Sequence, residues 1–462
     1  MRSSAVTCVV FALLVACTRG TTPAPEPPKG APAATAPAGV PPAAHPDGKA
    51  LRHDDVAAAF AEARAGGKTV FVDAWAPWCH TCLSMQRDVL QDPSLAAWAD
   101  RLVFAAVDTD RPESASFVAR FPPRVWPTFF VIDPVTDEVL GLHGGSLSLP
   151  ELGHFLDDAL SSRTRAGDPK VKALLAGHLA SNRKDHAAAA RFYVEAASIE
   201  GPRQAEALLG ALRSYAAAKD DAACIALGLR ALRELQMSGA SSDQVGYLLS
   251  CAERLPDSDP KKVEVLSAAR ARLQDLISVP PPGASTDDRA DALALLADVA
   301  EAQKDTAAHA AAHTARLALL EADANAHADV DGARVHDYAR MNSYLALGRG
   351  DDAVTLLRLR TTQLPGSYEA WARLASALHQ LKRDDEARPA VLKAIELSYG
   401  PRRLRYRTLL ADIEAAGPRT PQSAAAEKRA VQDLVDDADK MPPGQRDEDV
   451  VAAARQRLAA LR

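Results

Sequence analysis

Cys79 and Cys82, with His80-Thr81 between them, stand where a run of β-type residues, Thr69-Val70-Phe71-Val72, gives way to a helical pattern. Two cysteines so spaced at a helix start lie on one face of its first turn, close enough to join in a small disulfide. The first looks into the unpaired N–H groups and positive dipole end of the helix, which favour its thiolate. An isolated thiol ionises near about pH 8.5, so this placement brings Cys79 toward reactivity at neutral pH. Cys79 is predicted to be the more exposed sulfur and the nucleophile. Cys82, one turn deeper, is predicted to resolve a mixed disulfide by attacking Cys79. A lone C-x-x-C is a moderate signal; the strand–helix context makes it a strong one.

Those sulfurs need a scaffold, and residues 50–162 provide one by alternating helical and strand patterns. Helix is predicted over 54–65, with Asp54 or Asp55 as cap and Gly66-Gly67 as stop. Strand follows over 68–74, helix over 79–90, strand over 102–107 and a short helix over 113–120. Strands 128–132 and 139–142 form a hairpin around Pro134-Val135-Thr136-Asp137, and a helix over 149–160 closes the unit. The fold class expected is an α/β domain, a mixed sheet flanked by helices. From about Asp168 no strand pattern survives, and helix pairs recur near a 34-residue period. The clearest copy spans 368–401, with Trp371, Leu374, Ala375 and Leu378 on its first helix and Ala387, Val391 and Ala394 on its second. Tyr344, Ala353, Leu357 and Pro365 keep the same offsets one copy earlier, and Gly177, Ala189, Tyr193, Ala196 and Pro202 form an early copy. The pattern resembles tetratricopeptide repeats, over 163–416, with a generic helical bundle as the alternative. Copies between 203 and 330 are degenerate, and Pro280-Pro281-Pro282-Gly283 is expected to break the array. Residues 417–462 are expected to cap it.

The segment Asp73-Ala74-Trp75-Ala76-Pro77-Trp78-Cys79-His80-Thr81-Cys82 resembles the active site of the thioredoxin superfamily. Val125-Trp126-Pro127-Thr128-Phe129 is similar to that family's cis-proline loop. Gly67-Lys68, the Asp-x-Trp-Ala-x-Trp-Cys run and Asp92-Pro93-Ser94 resemble most the C-terminal domain of bacterial membrane thiol:disulfide interchange proteins. The resemblance covers residues 50–162, and it implies a buried Asp73 that accepts the Cys82 proton. The other reading of Asp73 is an exposed acid at a strand end. The resemblance also implies a cis Pro127 against the cysteine pair, with Trp126 and Thr128 in the loop that holds an extended substrate by strand-like hydrogen bonds. A trans proline opening an edge strand is the alternative. Trp75, Trp78 and Trp126 either shield the site or serve as plain core. The chain departs from common thioredoxins in having His80-Thr81 where they have Gly-Pro, and these two residues are expected to tune the redox potential. A protonated His80 would stabilise the Cys79 thiolate; a solvated His80 would do little. Trp126 replaces a small aliphatic residue, and Ala105-Ala106 stands where a lysine often neighbours the buried acid.

Other uses of a cysteine pair fit less well. Structural zinc needs four ligands, and no second C-x-x-C or histidine pair suitably spaced to complete a site with Cys79 and Cys82 is present. Covalent haem needs a histidine where Leu83 stands. A soft-metal carrier on Cys79, Cys82 and His80 would give Asp73 and Pro127 no purpose. No metal is expected, and no cofactor besides the Cys79–Cys82 couple. Cys224 and Cys251, in alanine- and leucine-rich helical sequence, are read as small buried hydrophobes rather than a disulfide.

At 462 residues the chain exceeds one compact core. A formal charge of −6 with no basic block argues against nucleic acid as a partner. The apolar run from Val6 to Ala16 would be about 16 Å long as a helix, short of a bilayer core of about 30 Å, and reads as an export signal over 1–16. Leu14-Val15-Ala16-Cys17 resembles the lipobox of bacterial lipoproteins, which implies acylation of Cys17; an ordinary secretory signal is the other reading. Residues 17–49, rich in Pro and Ala, read as a linker of at most roughly 100 Å. Taken together, the resemblances imply a lipid-anchored thiol:disulfide oxidoreductase of the bacterial periplasm or cell surface. It would act on exported protein thiols and disulfides, draw on an external electron-donor protein, and hold a protein or peptide partner on its repeats. The alternative is a repeat adaptor with a low-activity thioredoxin-like module.

Overall fold

A computed structural model describes residues 52–161, 168–201, 203–234, 237, 241–442 and 444–461. The expected signal at 1–16, Cys17 and the linker at 17–49 lie outside the described residues. No helix among the described residues is long and apolar enough to cross a membrane.

The first part runs β1 (Arg52–His53), α1 (Val56–Gly66), β2 (Thr69–Trp75), α2 (His80–Asp88), β3 (Leu102–Asp108), α3 (Ala115–Arg120), β4 (Thr128–Ile132), β5 (Val139–Gly144) and α4 (Leu149–Ser161). Its sheet has the order β1-β3-β2-β4-β5. β1 and β2 lie parallel to β3, and β4 is antiparallel to β2 and β5. This is the mixed α/β sheet expected. Asp55 caps α1 by accepting from Ala58 N at 2.9 Å, and Gly67, at φ 64°, ends it. Asp54, the other candidate cap, accepts instead from Asp108 N at 2.7 Å and pairs with Arg111 at 2.9 Å. Side chains alternate across β2. Val70, Val72 and Ala74 pack with α1 and α3, whereas Phe71 and Trp75 pack with α2 and α4. The same alternation sends Asp73 toward α2.

The remainder is helical: α5 (Pro169–Asn182), α6 (His186–Ala197), α7 (Gln204–Ala218), α8 (Asp221–Glu234), α9 (Ser241–Glu253), α10 (Pro260–Ser278), α11 (Thr286–Ala302), α12 (Thr306–Ala326), α13 (Val330–Ala333), α14 (Asp337–Ala346), α15 (Gly350–Gln363), α16 (Tyr368–Gln380), α17 (Asp384–Leu397), α18 (Gly400–Ala416), α19 (Pro421–Asp439) and α20 (Glu448–Ala460). Successive helices pack on one another through short connections, as helical repeats do. Tyr193 is fully buried between them. A Cβ at Gly177 or Gly210 would fall 2.8 or 2.6 Å from its ring, so the two glycines let α5 and α7 close over it.

Two expectations fail here. Cys224 and Cys251 are both fully buried, but they are also bonded to each other, with Cα atoms 6.4 Å apart on α8 and α9. Burial was legible from the apolar surroundings; the facing register of two degenerate helices was not. The proline run at 280–282 lies between α10 and α11 without breaking the array, because those helices still pack on each other.

The array also bends round the α/β domain. Arg203, just before α7, pairs with Asp158 at 3.1 Å, and Arg213 Nη1 of α7 donates to Gly144 O at 3.4 Å. Glu206 sits 3.0 Å from His143 of β5, 2.9 Å from His178 of α5 and 2.6 Å from Arg203. On the opposite flank, Tyr399 donates to Asp108 Oδ2 at 2.5 Å. Gln445, between α19 and α20, donates to Thr109 O at 3.1 Å and Arg111 O at 2.7 Å.

Candidate active site at the start of α2

Cys79 is the N-cap of α2, with extended backbone, and its Sγ accepts from Cys82 N at 3.0 Å. The sulfur therefore occupies the position a capping oxygen normally takes, among the helix's unpaired N–H groups. Cys79 and Cys82 are joined in a disulfide. Cys79 is 6 % exposed and Cys82 0 %, so the expected order holds but both are buried.

Strand register brings the remaining groups here. Asp73 pairs with Ala106 on β3 and Phe129 on β4, and Ala74 pairs with Thr128. Pro127, one residue before Thr128, is thus carried to the end of β2 that leads into Trp78-Cys79. The Trp126–Pro127 peptide is cis. Thr128 Oγ1 donates to Val125 O at 2.6 Å, and Gly145 N to Pro127 O at 2.9 Å, so both ends of the loop are tied.

Asp73 is 1 % exposed. Burial drives its pKa up to about 7, against the opposing hydrogen bond from Gln86 Nε2 to Oδ2 at 2.8 Å. Its Oδ1 has no partner among the described residues. A carboxyl so poised can take a proton near neutral pH, and it lies on the strand face beneath α2. Gln86 escaped the sequence reading, although its position one turn beyond Cys82 places it on the same helix face.

The tryptophans line one side of the site. The Trp78 and Trp126 rings lie 5.3 Å apart; Trp78 Nε1 donates to Asp110 Oδ2 at 2.8 Å and Trp126 Nε1 to Thr109 Oγ1 at 2.8 Å. Arg402 of α18 places its guanidinium 4.5 Å above the Trp78 ring. Burial and the neighbouring Asp108 raise Asp110 to about 7, while the Trp78 bond opposes them. Both tryptophans remain partly exposed.

His80 turns toward the helical region, with Nδ1 2.8 Å from Asp287 Oδ1 of α11. Burial pulls the imidazole pKa down, but the charge and hydrogen bond of Asp287, with Asp291 behind, carry it up to about 9. Thr81 is half-buried in the first turn. Val335, just before α14, packs into the apolar cluster that holds Cys79 and Cys82. Asp287, Val335, Arg402 and Gln445 left no local signal in the sequence, since each reaches the site across hundreds of residues.

A mixed sheet with a capping cysteine at the mouth of its first post-strand helix, a buried acid below and a cis-proline loop beside defines a thioredoxin-like domain. The thioredoxin-like family model matches residues 51–134. Residues 51–134 thus form a thioredoxin-like domain, and the long helical region follows them. Over 95 residues the chain is 30% identical to protein disulfide-isomerase 1 of Dictyostelium discoideum, a distant homologue; the match covers 20% of this chain and 25% of the relative. The chain thus spans about a quarter of the curated relative's length. A solved structure titled as an assembly chaperone of RpL4, residues 1–338, is 16% identical and covers 64% of this chain and 98% of its own, with a TM-score of 0.29. That likeness is too slight to carry an argument.

Proposed function

We propose that the chain is an extracytoplasmic thiol:disulfide oxidoreductase, held at a membrane by lipid on Cys17, that reduces or exchanges disulfides of exported proteins. The observation that carries this reading is the convergence of Cys79 at the start of α2, Asp73 beneath it and the Trp126-Pro127 loop beside it. Cys79 thiolate attacks a target disulfide, giving a mixed disulfide and releasing one target thiolate. Cys82 loses its proton to Asp73 and attacks Cys79, which expels the second target thiolate and closes the Cys79–Cys82 bond. An external donor protein then returns two electrons. Among the described residues, the Trp126 backbone N–H and C=O have no hydrogen-bond partner, which suits strand-like capture of an extended peptide. The Cys224–Cys251 disulfide suits an oxidising compartment.

The adaptor reading draws support from the low exposure of both sulfurs and from the contacts that Asp287, Asp323 and Val335 make at α2 and its apolar cluster. Trapping separates the two. With Cys82→Ala, mixed disulfides on Cys79 should accumulate in cells, and purified wild-type protein should speed insulin reduction by dithiothreitol. No adducts, together with no loss of rate in Cys79→Ser, would overturn the oxidoreductase reading.

A further inference from the structure

We infer that Asp287, contributed by the helical region, is a positioning residue of the dithiol centre: its carboxylate fixes a charged His80 beside Cys79 and so favours the reduced, thiolate form of the couple. This inference rests on the oxidoreductase reading. The His80–Asp287 bond of 2.8 Å joins residues 207 apart in sequence, and Asp287 is itself buried. Ser285 caps α11, so Asp287 lies in its first turn, where the helix dipole favours an ionised carboxylate. Behind it His336 is sandwiched, with Nδ1 3.5 Å from Asp287 and Nε2 3.4 Å from Asp323. Asp323 in turn pairs with Arg87 of α2 at 2.9 Å. Other groups facing His80 are Asp291 of α11, Arg316 of α12 and the Tyr338 ring of α14 at 6.4 Å.

Burying a carboxylate is costly, and an apolar contact of the kind Val335 makes close by would seal the same interface. A chain of alternating acids and bases that ends on the residue adjoining the nucleophile does something a seal does not: it sets charge. His80 follows Cys79 directly in the chain, and the Asp287 carboxylate meets it at Nδ1, so the positive member of the pair is the one that adjoins the nucleophile. Stabilising the thiolate stabilises the reduced form and makes the disulfide more oxidising.

The test is equilibration of the full-length protein with glutathione. Two glutathione thiols give two electrons to the Cys79–Cys82 bond and join as oxidised glutathione. One of their protons goes to Cys82, and the other to solvent while Cys79 stays a thiolate. Asp287→Asn should shift the equilibrium toward the protein disulfide on the order of tenfold, about 30 mV. It should also raise the pH at which Cys79 alkylates. Asp287→Glu, which keeps the charge, should stay near wild type. In a His80→Ala background Asp287→Asn should change nothing further. An unchanged equilibrium in Asp287→Asn, equal shifts in the Asn and Glu variants, or an equal shift without His80 would each overturn the inference. If wild type reduces insulin while Asp287→Asn titrates like it, this inference alone falls. If wild type neither reduces insulin nor exchanges with glutathione, the oxidoreductase reading falls and takes the inference with it.

Discussion

Replacing Asp73 by Asn should make the protein more stable and slower, and the gain should depend on pH in a defined direction. In the unfolded chain this carboxyl titrates near 3.8; in the fold, burial carries it to about 7. The native state therefore holds the proton more tightly. The sign follows: no penalty exists below 3.8, it grows as pH rises toward 7, and it is complete above. At 1.36 kcal/mol per pH unit, the ionised buried carboxylate costs about 4 kcal/mol at pH 8 and under about 2 kcal/mol at pH 5. Asn has no charge to bury, so urea unfolding of the oxidised proteins should show Asp73→Asn more stable at pH 8 by up to that amount, with the gap narrowing at pH 5. The same variant should resolve mixed disulfides on the order of 10²-fold more slowly, because Cys82 loses its proton acceptor. Equal stability at pH 8, or a gap that widens on acidification, would refute the buried-acid argument. Unimpaired resolution would refute the assigned role.

Removing the Cys224–Cys251 bond by a double change to alanine frees a loop of 27 residues and should destabilise the helical region by about 3.5 kcal/mol by chain entropy, read by thermal unfolding with and without reductant. No difference between variant and oxidised wild type would show that the bond contributes nothing. Cys17→Ala should release the protein from membranes into the soluble fraction on centrifugation; unchanged sedimentation with membranes would remove the lipid anchor from the proposal.

What could be read in advance was local. The apolar run of β2, the turn after it and the cysteine spacing all fall within residues 69–82, where period and capping rules act over a few positions. Alternation from Phe71 to Trp75 even indicates the face on which Asp73 lies. The resemblance supplied Pro127, some fifty residues away, since no rule of spacing links it to Cys79. Gln86 was within reach of helical periodicity and was overlooked. Asp287, His336, Arg402 and Gln445 were beyond reach: their effect depends on how the helices from α5 to α20 stack, and small per-repeat rotations accumulate over that distance. The Cys224–Cys251 bond failed for a related reason, because two cysteines on poorly patterned helices reveal burial but not which way each faces.

Tyr399 and Gln445 clasp the α/β domain across 291 and more than 330 residues of chain. Such closures are slow to find, because each must overcome the entropy of a very long loop before any contact rewards it. During synthesis the α/β domain emerges before α18 to α20, and this flank waits uncovered until they arrive. Nascent chains cut short after α17 would lack the clasp while keeping the cysteine pair intact. Truncation series should therefore yield species whose dithiol reacts faster with bulky alkylating reagents than it does in the finished protein, the tail serving as a late-arriving cuff.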